Sequence, residues 1–206
     1  PIKKSILLED GSTEPLDISR LRLNVSECCA GIDDVSPDLI YEAIDKNIYD
    51  GIKKEDLASS ILISVRPLIE KDPNYSYVVA RLLLTNIYEE ALTFVDHKDS
   101  QPTIKSMQKN YIDYFKSYIV KASELKLLDK ELLNYDLDLL GKSIDSSRDL
   151  SFTYLGLQTL YDRYFIHHKE KRFELPQAFF MRVAMGLAIN ESDRETKAIE
   201  FYNLIS

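Results

Sequence analysis

The sequence predicts a mainly α protein: a small β-hairpin with four helices, followed by an α-helical bundle segment. Apolar residues recur at spacings of three and four through most of the chain, the period of an amphipathic helix. Only 6 Gly and 7 Pro in 206 residues leave long uninterrupted stretches, and that favours helix because both residues are poor helix formers. A hydrophobic content of 45%, with 13 Tyr and 8 Phe, is enough to build a real core.

Residues 2–8 read as a strand, with Ile2, Ile6, Leu7 and Leu8 supplying apolar side chains. Asp10-Gly11 is a hairpin signal, since glycine tolerates the positive φ of a tight turn, and Glu14 to Leu16 is the return strand. Asp17 or Ser19 can cap a first helix by offering a side-chain oxygen to free backbone N–H groups; that helix carries Leu21, Leu23, Val25, Cys28 and Cys29. Ser36-Pro37 opens a second helix, with proline at the first position, where its missing N–H costs nothing. Ile40, Ala43, Ile44 and Ile48 form its apolar face, and Gly51 ends it. A third helix runs from about Lys54 through Leu57, Ile61, Val65 and Leu68. Pro67 should kink or shorten it near Arg66, because proline removes a hydrogen bond and clashes with the preceding turn. Asp72-Pro73-Asn74 is a turn. The fourth helix aligns Tyr77, Ala80, Arg81, Leu84, Ile87, Tyr88 and Ala91.

Residues 94–103 are polar and read as a linker. Beyond them, Ile104, Met107, Tyr111, Tyr114, Phe115, Tyr118, Ile119 and Ala122 make a stripe of three-and-four spacing. Asp136 to Ile144 is a shorter helix and Ser151 to Tyr164 another. His167 to Glu174 is polar and suggests a small hairpin, and Pro176 to Ala188 and Asp193 to Leu204 complete the set. The tyrosine stripe is most simply core, although tyrosine also suits a surface buried against another domain.

Charge and cysteine usage exclude several classes. A net charge of −8 argues against a nucleic-acid surface, which needs clustered Lys and Arg. No apolar run approaches a membrane span and no signal peptide opens the chain. Two cysteines point to a reducing compartment, hence a cytoplasmic location, rather than a disulfide scaffold. Adjacent residues on a helix point about 100° apart, so Cys28 and Cys29 cannot easily bridge and read as small buried apolar residues. His167-His168 lacks the three- or four-residue spacing of helical metal ligands, and no third ligand is near in sequence. Arg148-Asp149 stands just before the Ser151 helix, where the aspartate is placed to accept its first backbone N–H groups.

Three blocks carry a family resemblance: the stretch from Arg148 to Tyr164, then Glu174 to Ala184, then Arg194 to Tyr202. Together they closely resemble the N-terminal helical region of the large subunit of class I ribonucleotide reductase. The hairpin and four helices before residue 92 resemble the ATP-cone, a nucleotide-sensing domain attached to such enzymes. The resemblance implies three segments: an ATP-cone-like domain at 1–92, a linker at 93–103, and the helical region at 104–206. In that family the chain continues past a segment like Phe201 to Ser206 into a catalytic barrel. With that ending and a start at Pro1, the sequence reads as a regulatory and helical part of a longer enzyme. The implied activity is reduction of ribonucleoside diphosphates to deoxyribonucleotides for DNA synthesis, with the family's active-site and shuttle cysteines lying outside residues 1–206. No catalytic residue and no metal ligand is expected here.

The resemblance also tests the cone as a nucleotide site. A working cone opens with a Lys-Arg pair just before the Asp-Gly turn, where the cations meet phosphates; here Leu8 and Glu9 stand there. After Tyr49-Asp50-Gly51-Ile52-Lys53, functional cones place a Thr and, four residues on, a His; here these are Lys54 and Ala58. A Lys expected late in the fourth helix is replaced by Glu89 beside Glu90. Asp10, Gly11, Glu14, Arg20 and Lys53 survive, and Gly11, Glu14, Arg20 and Lys53 are the candidate nucleotide-contacting residues of a degenerate inner cone. The ATP or dATP effector bound by the family is therefore expected to bind weakly or not at all, and no cofactor is expected. Implied partners are the barrel of the same subunit, the reductase small subunit and further copies of the large subunit. The other class open to this sequence is a stand-alone helical module for nucleotide sensing or protein interaction.

Overall fold

The computed structural model describes residues 4–99, 102–169 and 171–206. Two compact units emerge. One comprises residues 1–86 with 153–155, the other residues 87–152 with 156–206.

The first unit opens with β1 (Ser5–Leu7) and β2 (Thr13–Pro15), joined by the expected turn and paired antiparallel with Ile6 opposite Glu14. Residues 1–3 of the expected strand lie outside the described residues. Gly11 takes φ +84°, as the turn demands. The sheet is not a simple hairpin, however. A third strand, β3 (Ile52–Lys53), pairs in parallel with β1, giving the order β2-β1-β3. Two residues are too few to display a period-2 pattern, and the pairing spans more than forty residues of chain. Asp50 holds it in place. Its Oδ1 accepts from the backbone N–H and the hydroxyl of Ser5, both at 2.7 Å, and the Gly51 N–H donates to the Ser5 carbonyl.

Four helices follow the sheet. In α1 (Ile18–Cys29) Asp17 is the cap, accepting from the Arg20 N–H. In α2 (Pro37–Asn47) Ser36 caps and Pro37 occupies the first position, both as expected. Next, α3 (Lys54–Val65) gives way at Arg66 to a tighter 3₁₀ turn, Arg66–Glu70, which is the shortening that Pro67 dictates. The longer α4 (Tyr75–Phe94) contributes Val78, Val79, Leu82 and Leu83 to the core of this unit, with Val25, Cys28, Ile40 and Ile44 facing them from α1 and α2. Arg81 of α4 donates to the carbonyls of Cys28 and Ala30, so a side chain from a distant helix satisfies orphan acceptors at the C-terminus of α1.

The second unit takes over the end of α4 and is built around α5 (Ile104–Glu124). The segment expected as linker is shorter than predicted, because α4 runs on to Phe94 and Thr103 already caps α5 in a reciprocal box with Ser106; residues 100–101 lie outside the described residues. Every member of the predicted α5 stripe is buried. After α5 come a 3₁₀ turn (Lys130–Asn134), α6 (Leu137–Ser143) and a second 3₁₀ turn (Ser146–Ser151). Then follow α7 (Tyr154–Arg163), two short antiparallel strands β4 (His167–His168) and β5 (Lys171–Arg172), α8 (Pro176–Ala188) and α9 (Arg194–Ile205). The expected hairpin around His167 is thus present, with residue 170 outside the described residues. Helix α6 lies so close to α5 that a methyl group added at Gly141 would stand 3.3 Å from the Ile112 side chain.

Two readings of the sequence are corrected here. Asp149 does not cap a helix at Ser151. Residues 146–151 wind as 3₁₀, α7 begins only at Tyr154, and the Asp149 carboxyl turns inward. Glu174, in the polar 167–174 segment, lies in the loop between β5 and α8 yet is fully buried. Asp149 takes its donors from helices far away in sequence, and Glu174 takes one from Tyr118 of α5 beside those from Ile166 and Arg182, each eight residues away.

Helix α8 starts without a side-chain cap of its own. The tyrosines of α5 serve instead. Leu175 N–H donates to the Tyr114 hydroxyl at 3.1 Å and Gln177 N–H to the Tyr111 hydroxyl at 3.0 Å. Tyr114 in turn donates to the Phe173 carbonyl and Tyr118 to the Glu174 carboxylate. The stripe is therefore core, and also the polar fastening of the entry into α8, because buried N–H groups left unpaired would be costly.

Candidate nucleotide cone

The surviving cone residues sit on the three-stranded sheet and the elements beside it. Around the turn, Leu8 N–H bonds to the Ser12 carbonyl and Gly11 N–H to the Leu8 carbonyl. Asp10 is consumed locally. Its Oδ1 accepts from the Ser12 N–H at 2.9 Å and the Ser12 hydroxyl at 2.6 Å, and these bonds hold its carboxyl below the usual range. Glu9 is exposed and Leu8 half-buried.

The register separates the remaining candidates. Glu14 pairs with Ile6, and Ile6 with Ile52, so these three share one face of the sheet; Lys53 lies beside Leu7 on the other. Glu14 meets Lys54 at 3.7 Å, and Lys53 meets Glu55 at 3.5 Å. Arg20 lies in the first turn of α1, its backbone N–H held by Asp17. The structure therefore keeps Gly11 at the turn, Glu14 and Lys53 on opposite faces, and Arg20 on a separate element. The group does not converge as a single cluster.

A nucleotide triphosphate needs several cations or backbone donors to offset the desolvation of its charges. The turn offers Leu8 and Glu9 at the two positions nearest it, and Lys53 and Lys54 each face a carboxylate. Glu89 and Glu90 stand late in α4, where the resemblance expects a lysine. The Glu90 carboxylate accepts from the Tyr161 hydroxyl and from the Arg172 N–H, both at 2.9 Å, and so serves the second unit. Nothing in the sequence near Glu90 pointed to residues 161 and 172.

Cys28 is completely buried and Cys29 nearly so. Burial pushes their thiols up to about 12 and about 11 respectively, so neither carries appreciable thiolate at neutral pH. Both should resist alkylation in the folded protein and react together once it unfolds. Modification of either in the native state faster than global unfolding would contradict this placement. Among the described residues no group of three or more His, Cys, Asp or Glu side chains could hold a metal ion. Among the described residues no helix is long and apolar enough to cross a membrane.

Sequence comparison gives these units their class. Residues 4–90 match the model of the ATP cone domain, and residues 150–206 match that of the ribonucleotide reductase all-alpha domain. The molecule is thus a cone domain coupled to an all-α domain. The ribonucleoside-diphosphate reductase subunit alpha of Chlamydia trachomatis is 39% identical over 202 residues, covering 98% of this chain and 19% of the chlamydial protein. The Helicobacter pylori subunit alpha is 29% identical over 98% of the chain and 24% of its own length. The Plasmodium falciparum large subunit is 25% identical over 98% of the chain and 24% of its length. The chain matches the N-terminal ATP-cone and helical region of ribonucleotide reductase large subunits. It spans about a fifth of the chlamydial relative's length.

Proposed function

We propose that this chain is the N-terminal regulatory and helical part of a ribonucleoside-diphosphate reductase large subunit, and that its cone is a mechanical element rather than a working nucleotide sensor. The observation that carries the second statement is the pair Leu8 and Glu9 before the Asp10-Gly11 turn, with Lys53 and Lys54 each engaged by a carboxylate. Gly11, Glu14, Arg20 and Lys53 are then what is left of a phosphate site, kept by the fold. In this reading residues 1–92 form the cone, 93–103 the connection and 104–206 the helical region. Helix α8 supports a docking role. Phe180, Val183 and Leu187 follow one another at helical spacing and are only partly buried, Leu187 being 62% exposed. That stripe is suited to the catalytic body of the large subunit. The small subunit and further large subunits are the other partners this reading assigns.

Calorimetry of the chain against ATP and dATP with magnesium, at physiological salt, tests the cone. Binding should be no tighter than about 1 mM, or about −4 kcal/mol. Saturable micromolar binding would show a working sensor. A second assay tests the division of labour. Incubated with a reductase small subunit, a nucleoside diphosphate and a reductant, residues 1–206 should form no deoxynucleotide above the blank, because they contain no cysteine chemistry outside the buried Cys28-Cys29 pair. Turnover by this chain would overturn the assignment.

A further inference from the structure

The polar interior of the second unit converges on one carboxyl group. Asp149, on the 3₁₀ turn Ser146–Ser151, is 1% exposed. Its Oδ2 accepts the hydroxyl of Tyr88 from α4 and that of Tyr111 from α5, each at 2.9 Å. Gln177 of α8 lies close enough for its amide dipoles to favour a charged carboxyl, yet Oδ1 has no donor in hydrogen-bonding geometry. Tyr202 of α9 extends the network, donating to Gln177 Oε1 at 2.8 Å and accepting from the Asp145 N–H at 3.0 Å.

Among the described residues no cation is hydrogen-bonded or ion-paired to this carboxyl. Arg148, its neighbour, is turned away toward Asp145, Asn203 and Ser206 and stacks over the Tyr202 ring. Arg182 of α8 is engaged by Glu174. The titratable groups facing Asp149 are Tyr88 of α4, Tyr111 and Tyr114 of α5, and Tyr202 of α9, with uncharged Gln177 from α8. Burial holds Tyr111 and Tyr114 well above the ordinary tyrosine range and raises Tyr202, so these tyrosines stay neutral around pH 7.

We infer that Asp149 is a built-in proton switch of the helical unit: neutral, it fills a buried position among α4, α5 and α8, and its ionisation leaves there a charge that no cation offsets among the described residues, which destabilises the unit. Burial outweighs the tyrosine and Gln177 hydrogen bonds and pushes the Asp149 carboxyl from 3.8 up to about 7. The sign follows from linkage. Between those two values the folded chain keeps a proton that the unfolded chain has released, so stability falls as pH rises through that window. Above it the loss is complete. The carboxylates held low, such as Asp10, Asp50, Asp138 and Asp145, act with the opposite sign and below that window.

The test is chemical unfolding of the chain from pH 5 to 8, comparing it with Asp149→Asn. The unaltered chain should show an unfolding constant that rises by up to about tenfold per pH unit in the lower part of this range, and the variant should lack that component. Identical pH slopes would overturn the inference, whatever the absolute stabilities. Should Asp149→Asn not fold, infrared titration of the unaltered chain against Tyr88→Phe gives an independent readout. A protonated carboxylic C=O band should fade with a midpoint near neutrality, and the midpoint should move up when the Tyr88 donor is removed. No such band at pH 5.5, or an unmoved midpoint, would refute the switch.

Discussion

Replacing Arg182 by alanine is expected to destabilise the helical unit by about 3–5 kcal/mol, the cost of leaving one partner of a buried ion pair uncompensated. Glu174 is completely buried, and among the described residues Arg182 is the cation paired with it: Nε meets Oε1 at 2.7 Å and Nη2 meets Oε2 at 3.2 Å. The Tyr118 hydroxyl and the Ile166 N–H complete the carboxylate's shell. Without the guanidinium these two donors remain, but a full charge stays in a low-dielectric interior. Because folded domains are stable by only about 5–15 kcal/mol, this is a large fraction of the total. Urea unfolding measures it. A double-mutant cycle separates charge from packing: on a Glu174→Gln background, where no anion is left behind, removing Arg182 should cost much less. Equal losses on both backgrounds would assign the effect to the lost stacking of the Arg182 guanidinium over the Phe179 ring.

Phe115→Ala should be of comparable size for a different reason. Phe115 is completely buried on the face of α5 that meets α6, where its ring edge stands 3.6 Å from the position a Gly141 side chain would take. Truncation removes a large apolar surface and leaves a cavity that these closely packed helices can only partly collapse into. Such changes cost about 3–5 kcal/mol, or a melting temperature lower by roughly 10 °C for a chain of this size. Thermal unfolding followed by circular dichroism checks this. A loss under about 1 kcal/mol would mean that α6 moves in to fill the space.

Much of the backbone was legible in the sequence because its signals are local. Asp17 and Ser36 cap the helices they were expected to cap, and α3 ends at Val65, with Arg66 as its C-cap just ahead of Pro67. The Ile104–Ala122 stripe is buried as its spacing requires. The family resemblance was legible too, through extended blocks of residues that the comparisons match over 4–90 and 150–206. The third strand was not, since its two residues gain meaning only by pairing with β1.

The sequence by itself determined the helices, the turn at Gly11, the family, and the substitutions at Leu8 and Glu9, which the chain carries whatever its fold. Only the tertiary structure decided where the buried polar groups find partners. Asp149 looked like a helix cap and is the centre of a tyrosine network; Glu174 belongs to a segment that looked polar and exposed, and is a buried acceptor for Arg182; Glu90, an anion in the sequence, is an acceptor for Tyr161 and Arg172. Helix signals are readable because they act over one turn of chain. A buried carboxyl is stabilised by donors brought together from dozens of residues away, and its identity alone does not say which ones.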